Sequence, residues 1–400
     1  MDAEDPGFAN GDLANWRRTI DRRWGGGSRE VWHVRLTSVG ENLLESLILK
    51  LGIVPTPIMD TFIALALART VMAATRAGVF EALAAGPLSP EEVAQRCRID
   101  TRAAGKLLYA LASCRYLRVV SSGRPSAQPE RSGTSSVHGD RYSLAPIARK
   151  WLLRARPRSM VDAVLHRYLD IVLMSHVEEY LSTGRPVAFH EPGFLTAEQW
   201  ELYERGQRAG AIYSAPEIAR RTPVPSNPRA MLDIGGGHGY YSVALCRRHP
   251  SLSSTILDLP AAVEQSRPIL AAEGMSDRVK HRAGNALTDD LGIEMWDLVF
   301  MANLVHHFDA GTNRDLMRQV ARALRPGGTC VIAELIRAPR PEEAGQIGGL
   351  TGLYFAITSA GGTCSYEEMA AWQRDAGLKP MKPIRLRMSP GYGLQASRKG

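Results

Sequence analysis

Residues 230–260 read AMLDIGGGHGYYSVALCRRHPSLSSTILDLP, and this stretch decides the fold class. An apolar strand, Ala230 to Ile234, runs into Gly235-Gly236-Gly237-His238-Gly239 and on into a helical pattern. Glycines at 235, 237 and 239 let the backbone turn sharply and admit a ligand against bare amides. Nineteen residues beyond Gly239 the next strand ends in Asp258, placed to accept hydrogen bonds from two ribose hydroxyls. Turn and acid together predict a doubly wound α/β sheet holding a nucleoside-containing cofactor. A plain strand-to-helix connection would account for the glycines alone.

The glycines follow an acid, Asp233, in the spacing DxGxGxG, where dinucleotide enzymes use GxGxxG. This spacing favours S-adenosylmethionine over NAD. Toward the C-terminus come a third strand, RVKHRA (278–283), then Gly284-Asn285, then a fourth strand, WDLVFMAN (296–303). A helix follows over 310–324, and Arg325-Pro326-Gly327-Gly328 leads into a fifth strand, TCVIAELI (329–336). A helix opened by the Ser365-x-x-Glu368 box precedes KPIRLRM (382–388) and YGLQASR (392–398), with Pro390-Gly391 between them. These late strands predict an antiparallel hairpin added to the parallel sheet, unlike the two repeated halves of a dehydrogenase.

Toward the N-terminus the pattern is helical. From Pro55 apolar residues recur at helical spacing until Gly86-Pro87; Ser89-Pro90-Glu91-Glu92 then forms a capping box, and Asp100 caps TRAAGKLLYALASC (101–114). The strands YLRVV and RYSLA flank a Ser-, Gly- and Pro-rich loop, Ser121 to Asp140, in the order of a winged helix. Residues 150–222 read as further helices, including Thr196 to Arg208 with its own Thr-x-x-Gln box. Residues 1–54, with GGGS at 25–28 and Trp16, Trp24 and Trp32, form an extension of unknown role. The division is therefore 1–54, a helical winged-helix-like dimerisation and substrate-capping domain over 55–225, and a cofactor-binding catalytic domain over 226–400. Ile58, Phe62, Leu65, Ala66, Val71 and Met72 supply more apolar surface than a lone winged helix buries, which predicts a homodimer.

At 44% hydrophobic and 22% charged, the 400-residue chain is globular, not disordered, collagen-like or a small disulfide scaffold. The longest apolar run in the N-terminal third, Phe62 to Ala68 between Asp60 and Arg69, falls short of the ~20 residues of a membrane span, so no membrane partner is expected. The opening MDAEDPGF lacks the basic start of a secretory signal and the five cysteines are scattered, which predicts a cytoplasmic protein without structural zinc. Of 49 basic residues only seven are Lys, and the net charge of +8 lies in short, dispersed runs. A DNA-binding regulator is the alternative of another class. Its recognition helix would carry only Arg102 and Lys106 as long cations, which suits packing better than reading bases, and no nucleic-acid partner is expected.

After the fourth strand the chain reads Asn303-Leu304-Val305-His306-His307-Phe308-Asp309. Methyl transfer from a sulfonium needs an aligned acceptor and removal of its proton, a task that suits a histidine. No HxxxH, HxxE or Cys partner accompanies the pair, so no metal is expected. Met301, Phe308, Tyr354 and Phe355 on one side, and Met160, His166, Tyr168 and Met174 on the other, could line an apolar acceptor pocket; ordinary core or surface roles account for each equally.

From about Pro55 to Arg398 the chain resembles the plant-type and acetylserotonin-like small-molecule O-methyltransferases, especially their bacterial relatives in secondary-metabolite and antibiotic biosynthesis. The resemblance implies that Gly235 and Gly237 approach the methionine part of S-adenosylmethionine, Asp258 with Leu259 holds the ribose, and Asn285 with Ala286 faces the adenine. Asn285 stands where the family usually has Asp. The family's LHDW stretch matches Val305 to Phe308, which places the general base on His306 and puts His307 where Asp is usual. Glu334 matches the acid that orients this histidine, whereas a second orienting acid of the plant enzymes would fall near Cys364. The implied reaction is methylation of a hydroxyl on an aromatic or polyketide-like small molecule, with a C- or N-methyltransferase of the same fold as the alternative.

Overall fold

The computed structural model describes residues 37–40, 42–120, 140–389 and 391–400. The GGGS stretch, the three N-terminal tryptophans, the polar loop between the first two strands and Pro390 lie outside the described residues. Helix α1 (Leu43–Lys50) is capped by Asn42, whose side chain accepts the Glu45 N–H at 2.9 Å. A helical turn, Thr56–Ile58, and a π-turn, Met59–Ile63, run straight into α2 (Ala64–Arg76). Gly78, at φ +77°, breaks the run before α3 (Val79–Ala82).

Helix α4 (Pro90–Cys97) has the expected box: the Glu92 carboxylate accepts from Ser89 N–H at 2.7 Å while the Ser89 hydroxyl accepts from Glu92 N–H at 3.3 Å. Asp100 caps α5 (Thr101–Ser113), accepting the Ala103 N–H at 2.8 Å. Strands β1 (Leu117–Val120) and β2 (Arg141–Leu144) pair antiparallel, with Leu88 bridging to Tyr142. Phe80, Leu83, Val93, Leu108 and Leu111 form the core of this layer.

One helix is longer than the apolar stretch Phe62 to Ala68 suggested. The continuous helical run Thr56–Arg76 is 21 residues long with a mean hydropathy of 1.5, long and apolar enough to cross a membrane. Asp60 and Arg69 interrupt the apolar run in the sequence but not the helix, and Ile58, Phe62, Ile63 and Leu65 stand exposed.

Helices α6 (Pro146–Trp151), α7 (Val161–Met174), α8 (Val177–Thr183) and α9 (Ala197–Arg221) follow. Helix α9 runs thirteen residues past Arg208, the end expected from the sequence, and continues through Pro216. A mid-helix proline costs about 3 kcal/mol in isolation. Here Ala211, Ala215, Ile218 and Ala219 are buried on either side of it, so packing overrides propensity.

The catalytic sheet alternates as expected: β3 (Ala230–Ile234), α10 (Tyr240–Arg248), β4 (Ser253–Asp258), α11 (Pro260–Ala271), β5 (Val279–Ala283), β6 (Trp296–Ala302), α12 (Ala310–Ala323) and β7 (Leu324–Leu335). Then come α13 (Pro341–Thr358), α14 (Tyr366–Asp375), β8 (Lys379–Pro380), β9 (Ile384–Arg385) and β10 (Tyr392–Arg398). Its order is β5-β4-β3-β6-β7-β10-β8, with β9 also on β10. The strands from β5 to β7 are parallel, whereas β10 runs antiparallel to β7, β8 and β9, which is the C-terminal antiparallel addition anticipated above. Strand β7 begins earlier than expected, at Leu324. Gly327 at φ +76° and a register shift between Trp296 and Leu298 absorb the Arg-Pro-Gly-Gly stretch within it.

Alternate residues feed two cores. Leu232, Ile234, Val299 and Met301 pack on one face, and Met231, Leu298 and Phe300 on the other. The strand order reverses between β3 and β6, and the carboxyl ends of these strands carry the glycine turn and His306. Helix α9 lies against α7, α10 and α11, so it joins the helical layer to the sheet.

Candidate active site

The glycine turn is held open by its own geometry. Gly235, Gly237 and Gly239 have φ of +67°, +42° and +73°. A Cβ on Gly236 would lie 2.6 Å from the Asp233 carboxylate, and one on Gly237 would lie 2.5 Å from Glu204 Oε2. The loop is therefore both sharply turned and pressed against acids. Asp258 closes it, accepting Gly237 N–H on Oδ2 and Leu259 N–H on Oδ1, each at 2.7 Å. Burial raises the Asp258 carboxyl to about 6, against the pull of these two N–H groups.

Asp233 is buried at the end of β3, where Oδ2 accepts the Ser242 hydroxyl at 2.6 Å and Oδ1 has no hydrogen-bond partner among the described residues. Burial raises this carboxyl to about 7. Glu204, on α9, is 3% exposed, and burial together with the Asp258 charge pushes it up to about 8. Asn285 is exposed and caps its own turn, its side-chain oxygen accepting Leu287 N–H at 3.0 Å, with Ala286 half-buried beside it. An orphaned carboxylate oxygen, a cradle that a Cβ would fill and a strand-end acid with free lone pairs fit a bound nucleoside carrying a cationic tail.

The histidine side is built differently. Strand β6 ends at Ala302, Asn303 takes φ +52°, and Val305–His307 forms a 3₁₀ turn. Asn313 of α12 clamps that turn, its amide donating to Val305 O at 2.9 Å and to Phe308 O at 3.0 Å. His306 Nδ1 lies 3.1 and 3.0 Å from the two oxygens of Glu334. The parallel pairing of β6 with β7 brings this pair together across 28 positions of sequence. A carboxylate only accepts, so Nδ1 carries the proton and Nε2 is left as the basic nitrogen. Phe355 stacks on the imidazole at 4.0 Å between centroids and 6° between planes.

His307 and His190 complete this end. His307 Nδ1 meets the Ser359 hydroxyl at 2.9 Å, and its ring lies 4.1 Å from His306 and 4.5 Å from His190. Burial drives His307 well below its ordinary range and His190 down to about 3, with the His306 charge adding to both. Both rings are neutral.

The acceptor-pocket expectations divide. Tyr354 and Phe355 on α13 flank the site, and the Tyr354 hydroxyl donates to Asp170 of α7 at 3.0 Å, tying the two layers. His166 is buried edge-on to Tyr203 at 5.3 Å, and desolvation lowers it to about 4. Met301 is corrected to a core residue: it is 0% exposed among Ile234, Val305 and Ile332, so no cavity wall includes it. Met160 precedes α7 and Met174 ends it, about 21 Å apart along the helix at 1.5 Å per residue. Tyr168 lies beneath the Arg76 guanidinium at 4.0 Å, facing α2, and Phe308 packs on the sheet core. Cys364 is buried in that core, and desolvation raises its thiol to about 12. The sequence reading missed Glu204, His190 and Tyr203, which sit in no motif.

Among family descriptions, "O-methyltransferase domain" matches residues 221–379 and "O-methyltransferase dimerisation domain" matches 59–154, together well over half of the chain. The chain belongs to the O-methyltransferase family. This methyltransferase is 28% identical over 348 residues to 3-hydroxy-5-methyl-1-naphthoate 3-O-methyltransferase of Streptomyces sahachiroi, covering 84% of this chain and 93% of the relative. It is 26% identical to the N,N-dimethyltransferase OxyT of Streptomyces rimosus, covering 68% and 76%. Its fold matches human N-acetylserotonin methyltransferase, solved in complex with SAM, at a TM-score of 0.72 and 17% identity, over 91% of this chain and 99% of the other.

Proposed function

We propose that this methyltransferase transfers a methyl group from S-adenosylmethionine to a hydroxyl of an aromatic or polyketide-like small molecule, with His306 as general base and Glu334 as its orienting partner. The observation that carries the reading is the His306–Glu334 pair, 4% and 1% exposed at the side chains, which fixes the imidazole with Nε2 free. When bound, S-adenosylmethionine supplies a methyl group on a positively charged sulfur whose departure as a thioether needs no protonation. Asp233, Gly235 and Gly237 would hold its amino-acid end, Asp258 with Leu259 its ribose, and Asn285 with Ala286 its base. His306 Nε2 takes the acceptor's proton, Glu334 stabilises the imidazolium, and the proton then passes to solvent. Neutral His190 and His307 with Phe355 keep the acceptor end dry, so the proton transfer competes with little water.

The naphthoate relative named above acts on an aromatic hydroxyl by its name, and this supports the hydroxyl acceptor. OxyT supports a second reading, a nitrogen acceptor at the same site. Mass spectrometry of purified protein with S-adenosylmethionine and a panel of phenols, hydroxyquinones and amines separates the two. Methylated amine without methylated phenol overturns the hydroxyl reading. The exposed apolar face of Thr56–Arg76 lies almost wholly within the matched dimerisation region, which supports burial against a second copy in a cytoplasmic homodimer. Sedimentation at micromolar concentration should give a dimer, and Phe62→Glu with Leu65→Glu a monomer.

A further inference from the structure

The acids around Gly237 are more than the nucleoside half of a cofactor requires. Glu204 reaches the loop from α9, and its Oε2 would meet a Gly237 Cβ at 2.5 Å. Asp258 holds the N–H of the same glycine, so two carboxylates flank one residue. Beside them the Asp233 carboxylate, 1% exposed, abuts Gly236, and its Oδ1 has no hydrogen-bond partner among the described residues. No Lys or Arg pairs with any of the three among the described residues. Arg208, one turn along α9, is engaged by Glu273 and lies over the Tyr240 ring. The histidines facing the loop, His238 and His281, are pushed below their ordinary range chiefly by burial and bring no charge.

We propose that Glu204 is the counter-charge for the cationic methyl donor, a specificity-determining residue that makes the site favour the sulfonium cofactor over its neutral thioether product. The inference rests on the S-adenosylmethionine reading above. Gly237, by the family resemblance, approaches the methionine part of the cofactor, so the Glu204 carboxylate lies on the side where sulfonium and thioether differ. Ribose, adenine and amino acid are common to both molecules. Only the positive sulfur distinguishes them, and only a carboxylate within a few ångströms in a buried site senses one charge strongly. In the free protein Glu204, raised to about 8, holds a proton at neutral pH; a cation arriving beside it expels that proton to solvent. Product formation removes the cation, Glu204 takes a proton back, and the neutral product is held less firmly than the substrate was.

Titration calorimetry of the full-length protein with S-adenosylmethionine and with S-adenosylhomocysteine, from pH 6 to 8.5 in buffers of differing ionisation enthalpy, tests this. Wild type should release more protons on binding the sulfonium than the thioether, and the affinity ratio should rise about tenfold across this range. Glu204→Gln should lower S-adenosylmethionine affinity by about tenfold, change S-adenosylhomocysteine affinity by less than about threefold, and abolish the excess proton release. Equal loss for both ligands, or a wild-type ratio flat with pH, overturns the proposal and leaves Glu204 a packing residue. The wild-type ratio decides even where Glu204→Gln does not fold. Binding of neither ligand by wild type instead overturns the cofactor reading, and the proposal with it.

Discussion

The two ends of the active site are both buried, and burial shifts their titratable groups in opposite directions. At the glycine turn burial raises Asp233, Asp258 and Glu204 to about 7, 6 and 8, so Glu204 keeps its proton at neutral pH while Asp258 stays ionised. At the acceptor end His190 and His307 are depressed by the same desolvation, so both rings are neutral. Burial penalises whichever form is charged. In the proposed reaction the acid end meets the cation, while His306, held by Glu334 beside two histidines that resist protonation, takes the proton.

The strongest way to break this contrast is at His306. His306→Ala should lower turnover on the true acceptor by ~10² to 10⁴ while calorimetry shows cofactor affinity nearly unchanged. Glu334→Gln should do less. The deficit should shrink as pH rises toward the acceptor's own ionisation, and full turnover by His306→Ala at neutral pH would remove the base from the mechanism. The counterpart at the other end is Asp258→Ala, expected to weaken cofactor binding by ~1.5 to 3 kcal/mol, because ribose donors lose a charged acceptor. Unchanged affinity would detach Asp258 from the cofactor.

A third measurement sharpens the contrast without mutation. The raised acids make the folded chain bind more protons than the unfolded chain, so stability falls as pH rises through their folded values. The depressed histidines act oppositely, adding stability as pH rises toward their unfolded value near 6.5, and contribute no slope above it. Between about pH 6.5 and 8.5 only the acids remain, and the ligand-free protein should lose about 3 kcal/mol. Thermal melts should show this decline, flattened by S-adenosylmethionine. A rise over that interval would contradict the acid-end assignment. The smallest effect belongs to the tie between layers: Tyr354→Phe removes the bond to Asp170 and should cost about 0.5 to 1.5 kcal/mol in chemical denaturation.

Much of this could be read from the residues before any coordinates. The glycine spacing, the strand-end acid and the capping boxes are local codes, and each box has the hydrogen bonds that its letters specify. The His306–Glu334 pair was legible through the family resemblance, and the placement of both residues at the carboxyl ends of parallel strands agreed with it. Glu204 was not, because an acid in an amphipathic helix has the same letter whether it faces water or a loop. Its burial depends on how α9 packs against α7, α10 and α11, which no local pattern encodes. His190 is hidden for a similar reason: it reaches His307 from the segment between α8 and α9, and no periodicity marks that approach. Met301 misled because a strand residue beside a site is as well placed for the core behind it.

Helix α9 has one last consequence. Ile218 near its C-terminal end is embedded in the sheet core, while Trp200 and Tyr203 near its start sit in a second cluster that joins Leu169 and Leu173 of α7 to Leu259 and Ala262 at the start of α11. Glu204 lies about 21 Å along this rod from Ile218. A tilt of about 5° at the anchored end sweeps the carboxylate by about 2 Å, enough to lift it off the glycine loop. The rod ties both cores together, so a displacement of either one would be carried along it to the glycine loop.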